Sequence, residues 1–384
     1  MFKLVGAPPP TVFTNMDPTV LIHKASILGP DGKPKSLEVW LGDVTAPIGL
    51  HNPDLLVISA FPEDYTPTDG SVIGRLSHLG INVYAEARSK KYDWRESWNC
   101  WVSRPLQGNH IGRLICFEHG WDKRPEHVIG NIFRTVREMV IIEHSEESTR
   151  QGMETLRLPL VSTGDQLYPK REVLRAIITQ SFLHLAAGLP VQRIQLVLKP
   201  KPHDNSLEPL LVELGICLEE NRHQWQNDLW RRTQPDQDIF LSYRHQDLEL
   251  VSPLLQSLKD HRPGLSVFID HEGLEPGNPW KLELLKAMAR CQKTLCIITD
   301  TYPDSVECID EFHAALLQNN RQRGYLLSVL NLRTRRLGDL PESLRSVHHI
   351  HSRLPYEPAD DLAQRLLPHI PPSRLSNPIQ MSNP

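Results

Sequence analysis

No run of 18 consecutive apolar residues occurs in this sequence, so an ordinary transmembrane helix is not expected. It also has no CxxC pair. Its six cysteines, Cys100, Cys116, Cys217, Cys291, Cys296 and Cys308, stand apart. Neither a zinc site of the usual spacing nor a dithiol redox motif is visible, and buried free thiols in a reduced compartment are expected. Charge is nearly balanced, with 42 Lys and Arg against 46 Asp and Glu, a net of −4. Bulk attraction to nucleic acid or to an anionic membrane is therefore absent. The basic run Arg333-Thr334-Arg335-Arg336 is too short to replace it. The segment from Met1 to Pro10 lacks the apolar core and cleavage site of a secretory signal, so a cytoplasmic location is expected. There is no internal repeat and no low-complexity block beyond the prolines.

What remains is the composition of an ordinary globular protein, 40% hydrophobic and 23% charged over 384 residues. At roughly 150 residues per domain this length suits two or three domains. Residues 1–17 are Pro-rich and read as an arm. Val20–Leu28 and Leu37–Leu41 read as strands about a Gly-Pro-Asp-Gly turn. Leu55–Ala60, Leu114–Phe117, Leu156–Val161 and Ile194–Leu198 are short apolar runs of strand type. Ser71–Leu79, Val128–Glu138 and Arg171–Ala187 have helical spacing, the last ending at Gly188 with Pro190 beyond. Alternating strands and helices indicate an α/β domain with a mostly parallel or mixed sheet over 18–204. The aromatic stretch Tyr92, Trp94, Trp98 and Trp101 suits core and lid packing, with a stacking platform as the other reading. Residues 205–234 read as a helical connector. From 235 to 371 the alternation restarts, with strands at Ile239–Tyr243, Ser266–Ile269, Thr294–Thr299 and Tyr325–Leu330. Helices fall at Leu248–Asp260, Trp280–Ala289 and Glu307–Gln318. Residues 372–384 read as a disordered tail. The cluster His348, His349 and His351 reads as loop or edge-strand surface.

Open α/β sheets place ligands at the carboxyl ends of their strands. In the second half those positions are Ser242-Tyr243-Arg244, Asp270 with the long loop after it, and Thr299-Asp300. Glu311 lies off the apolar stripe of Ile309, Phe312 and Leu316, so it faces either solvent or a cleft. The ordered set Asp238–Arg244, Phe268–Asp270 with Leu274–Gly277 and Trp280, then Ile297–Tyr302, Ser305 and Cys308–Glu311 resembles the TIR domain. The resemblance implies a flavodoxin-like parallel sheet and one of two functions. One is a scaffold that recruits other TIR domains. The other is cleavage of NAD+ between nicotinamide and ribose by a glutamate matching Glu311. A lone carboxylate suits that chemistry, because the bond breaks through an oxocarbenium-like state that an anion stabilises. The same resemblance places Ser242 and Arg244 on the diphosphate side, and Asp270 and Trp280 at the nicotinamide side. It implies NAD+ as substrate, no metal and no other cofactor. Glu307 stands where the family commonly has Trp.

In the first half, Gly42-Asp43-Val44-Thr45 is followed by the strand ending Ser59-Ala60. Later come Ser162-Thr163-Gly164-Asp165-Gln166-Leu167-Tyr168-Pro169 and a helix. A strand, Gly-containing loop and helix in series can offer backbone N–H groups to a diphosphate. The order resembles the macro domain, an ADP-ribose-binding module with a three-layer α/β/α fold. The resemblance implies that Asp43 and Val44 face adenine, and that Ser162, Thr163, Gly164, Asp165, Gln166 and Tyr168 cradle the diphosphate and far ribose. Two departures stand out. Ser59-Ala60-Phe61-Pro62 replaces the family's Asn-Ala-Ala-Asn, which argues against ADP-ribose hydrolysis but not against binding. Leu167 replaces its second glycine. Together the halves imply an NAD+-cleaving effector, controlled by an ADP-ribose-like nucleotide and by self-association of TIR domains, of the kind used in bacterial antiviral defence. The alternatives are a non-catalytic scaffold and a cyclase making cyclic ADP-ribose. Neither nucleic acid nor a membrane is an expected partner.

Overall fold

A computed structural model of the chain describes residues 19–29, 32–48, 52–118, 124–145, 153–164, 166–199, 207–225, 235–269, 280–319 and 322–372. The chain divides into two compact units, Met1–Val140 with Glu147–Asn227 and Asp228–Pro384 with the short segment Ile141–Glu146. The arm expected at 1–17 and the tail at 372–384 lie, apart from residue 372, outside the described residues.

The first unit contains β1 (Val20–Leu28), β2 (Pro34–Leu41), β3 (Leu55–Ala60), α1 (Val72–His78), α2 (Val83–Arg88), β4 (Tyr92–Trp94), α3 (Arg95–Trp98) and β5 (Cys100–Val102). It continues with β6 (Arg113–Glu118), α4 (Pro125–Ser145), β7 (Thr155–Pro159), α5 (Lys170–Ala186), β8 (Arg193–Leu198) and α6 (Leu207–Trp225). Its eight strands form one mixed sheet in the order β1-β2-β8-β7-β3-β6-β5-β4. The five central strands are parallel and each flank is antiparallel. The strand period of two sorts the core. Leu55 and Val57 of β3 and Ile115 and Phe117 of β6 pack with α4, α5 and α6. Leu56, Ile58, Leu114 and Cys116 pack on the opposite face with α1 and α2. The layers are therefore α/β/α. Each such fully buried aliphatic side chain contributes about 1.5–3 kcal/mol. The segment expected to be a connector is α6. Its Leu210, Leu214, Cys217 and Leu218 are buried in the first unit's core, so it is part of that unit.

The aromatic stretch is a small ribbon on the sheet edge. Tyr92 and Trp94 stack at 4.9 Å and Trp101 is fully buried. This is packing, as the first of the two readings has it.

The second unit contains β9 (Gln237–Tyr243), α7 (Leu248–His261), β10 (Val267–Ile269), α8 (Trp280–Ala289), β11 (Cys291–Thr299), α9 (Val306–Asn319), β12 (Leu326–Asn331), α10 (Glu342–Arg345), β13 (Ile350–His351) and α11 (Ala359–Leu366). Its five strands are all parallel, in the order β10-β9-β11-β12-β13. In chain order that is 2-1-3-4-5, the flavodoxin-like winding. Ile239, Leu241 and Tyr243 of β9 face α7 and α11. The alternate residues Phe240 and Ser242 therefore lie on the other face.

The histidine cluster departs from the surface expected for it. His348 and His351 are exposed, but His349 is buried. One ring nitrogen of His349 lies 2.7 Å from the Leu344 carbonyl and the other 2.9 Å from Ser328 Oγ.

Candidate functional site

In the second unit, the carboxyl ends of β9 and β11 and the start of α9 converge. Ser305 caps α9, its Oγ accepting from the Cys308 N–H at 3.3 Å. Before it, Tyr302 is fully buried. Tyr302 donates its hydroxyl to the Cys308 carbonyl at 3.0 Å, and its oxygen lies 2.7 Å from Ser242 Oγ. This hydrogen-bonded chain fixes β9 to the first turn of α9. Burial holds the Tyr302 hydroxyl well above the usual phenol range, reinforced by the nearby Cys296, Cys308 and Glu311. Tyr302 is therefore a neutral donor at any physiological pH.

Glu311 is one turn further along α9 and only 5% exposed. Of the two directions open to it in the sequence, it takes the enclosed one. Around Cys308 three charges meet. Burial pushes its thiol up to about 12, Glu311 and Glu307 push in the same direction, and Arg244 opposes them. Arg244 leaves the end of β9 half-buried. Next to it, Asp247 Oδ2 accepts from Thr299 Oγ1 at 2.5 Å and Thr301 Oγ1 at 2.9 Å. Asp300 accepts from the N–H groups of Arg333, Thr334 and Arg335 at 2.9–3.3 Å. The loops at this edge are thus tied to one another. Ser242, Arg244 and Glu311 are brought to one end of the sheet. Asp270 lies outside the described residues. Trp280 opens α8, and its side chain lies outside them too. Tyr302 had no role in the sequence reading. The signal available for it was its place just after an apolar strand, where a large polar side chain needs a partner.

All six cysteines are free and buried. Burial raises each of Cys100, Cys217, Cys291, Cys296 and Cys308 to about 12, so none is a thiolate nucleophile at neutral pH. Among the described residues no His, Cys, Asp and Glu group has metal-binding geometry.

In the first unit, two loops at the carboxyl edge hold the residues singled out. Asp43 follows β2, its Oδ1 accepting from the Thr45 N–H at 2.9 Å and Thr45 Oγ1 at 2.7 Å. Its Oδ2 lies 3.3 Å from Arg75 Nε of α1. Gly42 before it has φ +148°, and a Cβ there would meet Thr19 Oγ1 at 2.7 Å. Beneath the loop lies Arg157, fully buried. Its guanidinium donates to the carbonyls of Ala46 at 2.7 Å and Val44 at 3.4 Å, and to Gln195 Oε1 at 2.9 Å. Gln195 in turn donates to Glu38, which pairs with Lys24 at 3.0 Å. Burial draws Arg157 down to about 10, with Glu38 opposing, so it stays charged. Sequence reading missed this residue, since an arginine inside an apolar strand carries no local signal of its partners.

The second loop follows β7. Ser162 donates its N–H to Ser59 Oγ at 3.2 Å, and Gln166 donates its amide to the Ala60 carbonyl at 2.7 Å. The loop is thereby anchored to the end of β3, where the expected asparagines are missing. Ser162 Oγ and Gln166 Oε1 are buried with no hydrogen-bond partner among the described residues. Thr163 donates to the Leu160 carbonyl at 2.8 Å, and the Tyr168 N–H to the Ser162 carbonyl at 3.1 Å. Tyr168 is buried. Leu167, in place of a glycine, adopts φ +59°. The glycine-type backbone is kept although the glycine is not. Asp165 lies outside the described residues. A separate crevice of about 490 Å³ opens between residues 63–67 and the α1–α2 junction, and none of the predicted site residues lines it.

Residues 239–367 match the family model of the TIR domain, so the second unit carries a TIR domain. The fold is also similar to solved structures. The macrodomain of Oceanobacillus iheyensis with ADP is 17% identical, over 52% of this chain and 99% of that one, at a TM-score of 0.37. The Trypanosoma brucei macrodomain in complex with ADP-ribose is 16% identical over 47% and 68%, at 0.33. A metazoan TIR-STING receptor from C. gigas in complex with 2',3'-cGAMP is 20% identical over 35% and 40%, at 0.29. No curated protein sequence matches the chain.

Proposed function

We propose that the TIR domain is an NAD+ nucleosidase that releases nicotinamide, with Glu311 as the catalytic carboxylate. The observation that carries this is the burial of a carboxylate beside the carboxyl end of β9, with Ser242 and Tyr302 fixed next to it. Solvated helix glutamates are the rule, and enclosing one has a desolvation cost. The bond from C1′ to the nicotinamide nitrogen breaks with its electron pair leaving on nicotinamide. The positive charge left on C1′ and its ring oxygen is stabilised by the Glu311 anion, which also holds a ribose hydroxyl. Water then adds at C1′ to give ADP-ribose. Ser242 and Arg244 serve the diphosphate, and Asp270 and Trp280 border nicotinamide. A non-catalytic scaffold expects a solvated residue at 311.

The first unit takes an ADP-ribose-like nucleotide with adenine at Asp43 and Val44 and the diphosphate over Ser162 to Tyr168. Two buried orphan atoms in that second loop, Ser162 Oγ and Gln166 Oε1, support a polar ligand. Nucleotide binding and self-association of TIR domains set the activity. A cytoplasmic role in bacterial antiviral defence follows by analogy of architecture. Among the described residues no helix is long and apolar enough to cross a membrane.

The test is nicotinamide release by the purified chain beside Glu311→Ala, repeated with ADP-ribose and with cyclic ADP-ribose, with products separated by chromatography. Release abolished in the variant is the expected result. Cyclic ADP-ribose as co-product would make the enzyme a cyclase. No release under any condition would return the TIR domain to a scaffold.

A further inference from the structure

The first turn of α9 carries a second carboxylate. Glu307 precedes Glu311 by four residues, which sets the two on one helix face with Cβ atoms about 5–6 Å apart. They differ in environment. Glu311 is enclosed, whereas Glu307 is exposed to water. Glu307 is also oriented, since Ser305 Oγ donates to its Oε2 at 3.1 Å. The capping serine thus fixes both the helix start and the carboxylate. One oriented, water-facing carboxylate beside an enclosed one is the arrangement that glycoside hydrolysis uses when one group serves the sugar cation and the other a water molecule.

We infer that Glu307 is the general base for the water that completes the proposed reaction, and so commits the cation at C1′ to hydrolysis. This rests on the NAD+-cleaving reading of Glu311. After nicotinamide has left, water oxygen bonds to C1′ and one water proton passes to the Glu307 carboxylate, then to solvent. A pyridine base attacking the same carbon carries no proton to remove and needs no such group. The two fates of the cation therefore separate the roles of the two glutamates. A third fate, attack by the substrate's own adenine, also proceeds without this base.

The experiment is NAD+ turnover by the full chain with added 3-acetylpyridine, comparing wild type, Glu307→Gln and Glu311→Ala. ADP-ribose, the exchanged dinucleotide and cyclic ADP-ribose are measured together. Glu307→Gln is expected to raise the ratio of exchange to hydrolysis by about a hundredfold or more, the scale of general-base assistance. Glu311→Ala is expected to lose every product together. An unchanged ratio in Glu307→Gln, with nicotinamide release intact, overturns the inference and leaves the reading of Glu311 standing. Absence of nicotinamide release from wild type, or release that survives Glu311→Ala, overturns that reading and the inference with it. Wild type giving cyclic product without ADP-ribose also overturns the inference.

Discussion

Tyr302 and Ser242 are joined hydroxyl to hydroxyl at 2.7 Å, although they are 60 positions apart in the chain. The contact links β9, which begins the TIR sheet, to the residue that introduces the α9 helix. Tyr302→Phe removes this bond and the one to the Cys308 carbonyl. A stability loss of about 1–3 kcal/mol is expected from buried groups left without partners. Denaturant unfolding of the variant gives that figure directly. Nicotinamide release should fall with it, because Ser242 loses its fixed rotamer. An unchanged midpoint would show that the hydroxyl pair is incidental.

Arg157 is the support of the Asp43 loop. Arg157→Met keeps an unbranched stem but strands the Val44 and Ala46 carbonyls and Gln195 Oε1. About 3 kcal/mol of stability should be lost. Calorimetric titration with ADP-ribose should show at least about a tenfold weaker complex, equivalent to about 1.4 kcal/mol. Binding equal to wild type would mean that the loop does not touch the nucleotide.

Leu167 holds a left-handed backbone while its side chain is 83% exposed. Relief of the conformational strain by glycine is worth about 1–2 kcal/mol, less about 0.5–1 kcal/mol for the added freedom of the unfolded chain. Leu167→Gly should therefore stabilise the first unit slightly, and Leu167→Ala should not. A drop in the unfolding midpoint on Leu167→Gly would refute this account of the loop.

His349 sets an acid limit for the TIR domain. Burial lowers its folded-state pKa below the ordinary value of 6.5, with His351 and His348 adding to the effect and the Leu344 carbonyl opposing it. The unfolded chain therefore takes up the proton first. Stability is full above about pH 6.5 and declines as pH falls from there through the folded-state value. In His349→Gln that decline should be smaller. Melting curves between pH 5 and 8 with equal slopes for both proteins would contradict it.

Much of the fold is legible along the chain because its strands are short apolar runs between turn residues. Leu55–Ala60 and Trp280–Ala289 coincide with β3 and α8. The ribbon of β4, α3 and β5 is not legible, since its elements have three or four residues and rest on aromatic packing instead of periodicity. Nor is the enclosure of Glu311. The stripe of Ile309, Phe312 and Leu316 describes a helix with one wet face, yet Cys308, His313, Ala315 and Leu317 are buried as well. A helix covered on several sides hides its polar residues from amphipathic analysis. The partners of Arg157 are more than 35 residues away in sequence, beyond any local pattern.

The distribution of thiols has a practical consequence. Three cysteines lie in each unit, Cys100, Cys116 and Cys217 in the first and Cys291, Cys296 and Cys308 in the second, all buried and all protonated at neutral pH. Alkylating reagents should therefore find nothing to modify in the folded chain. Each unit carries its own internal clock of opening. Mass-resolved labelling of the two cysteine sets would time the unfolding of the macro-like region and of the TIR domain separately, with no engineered probe.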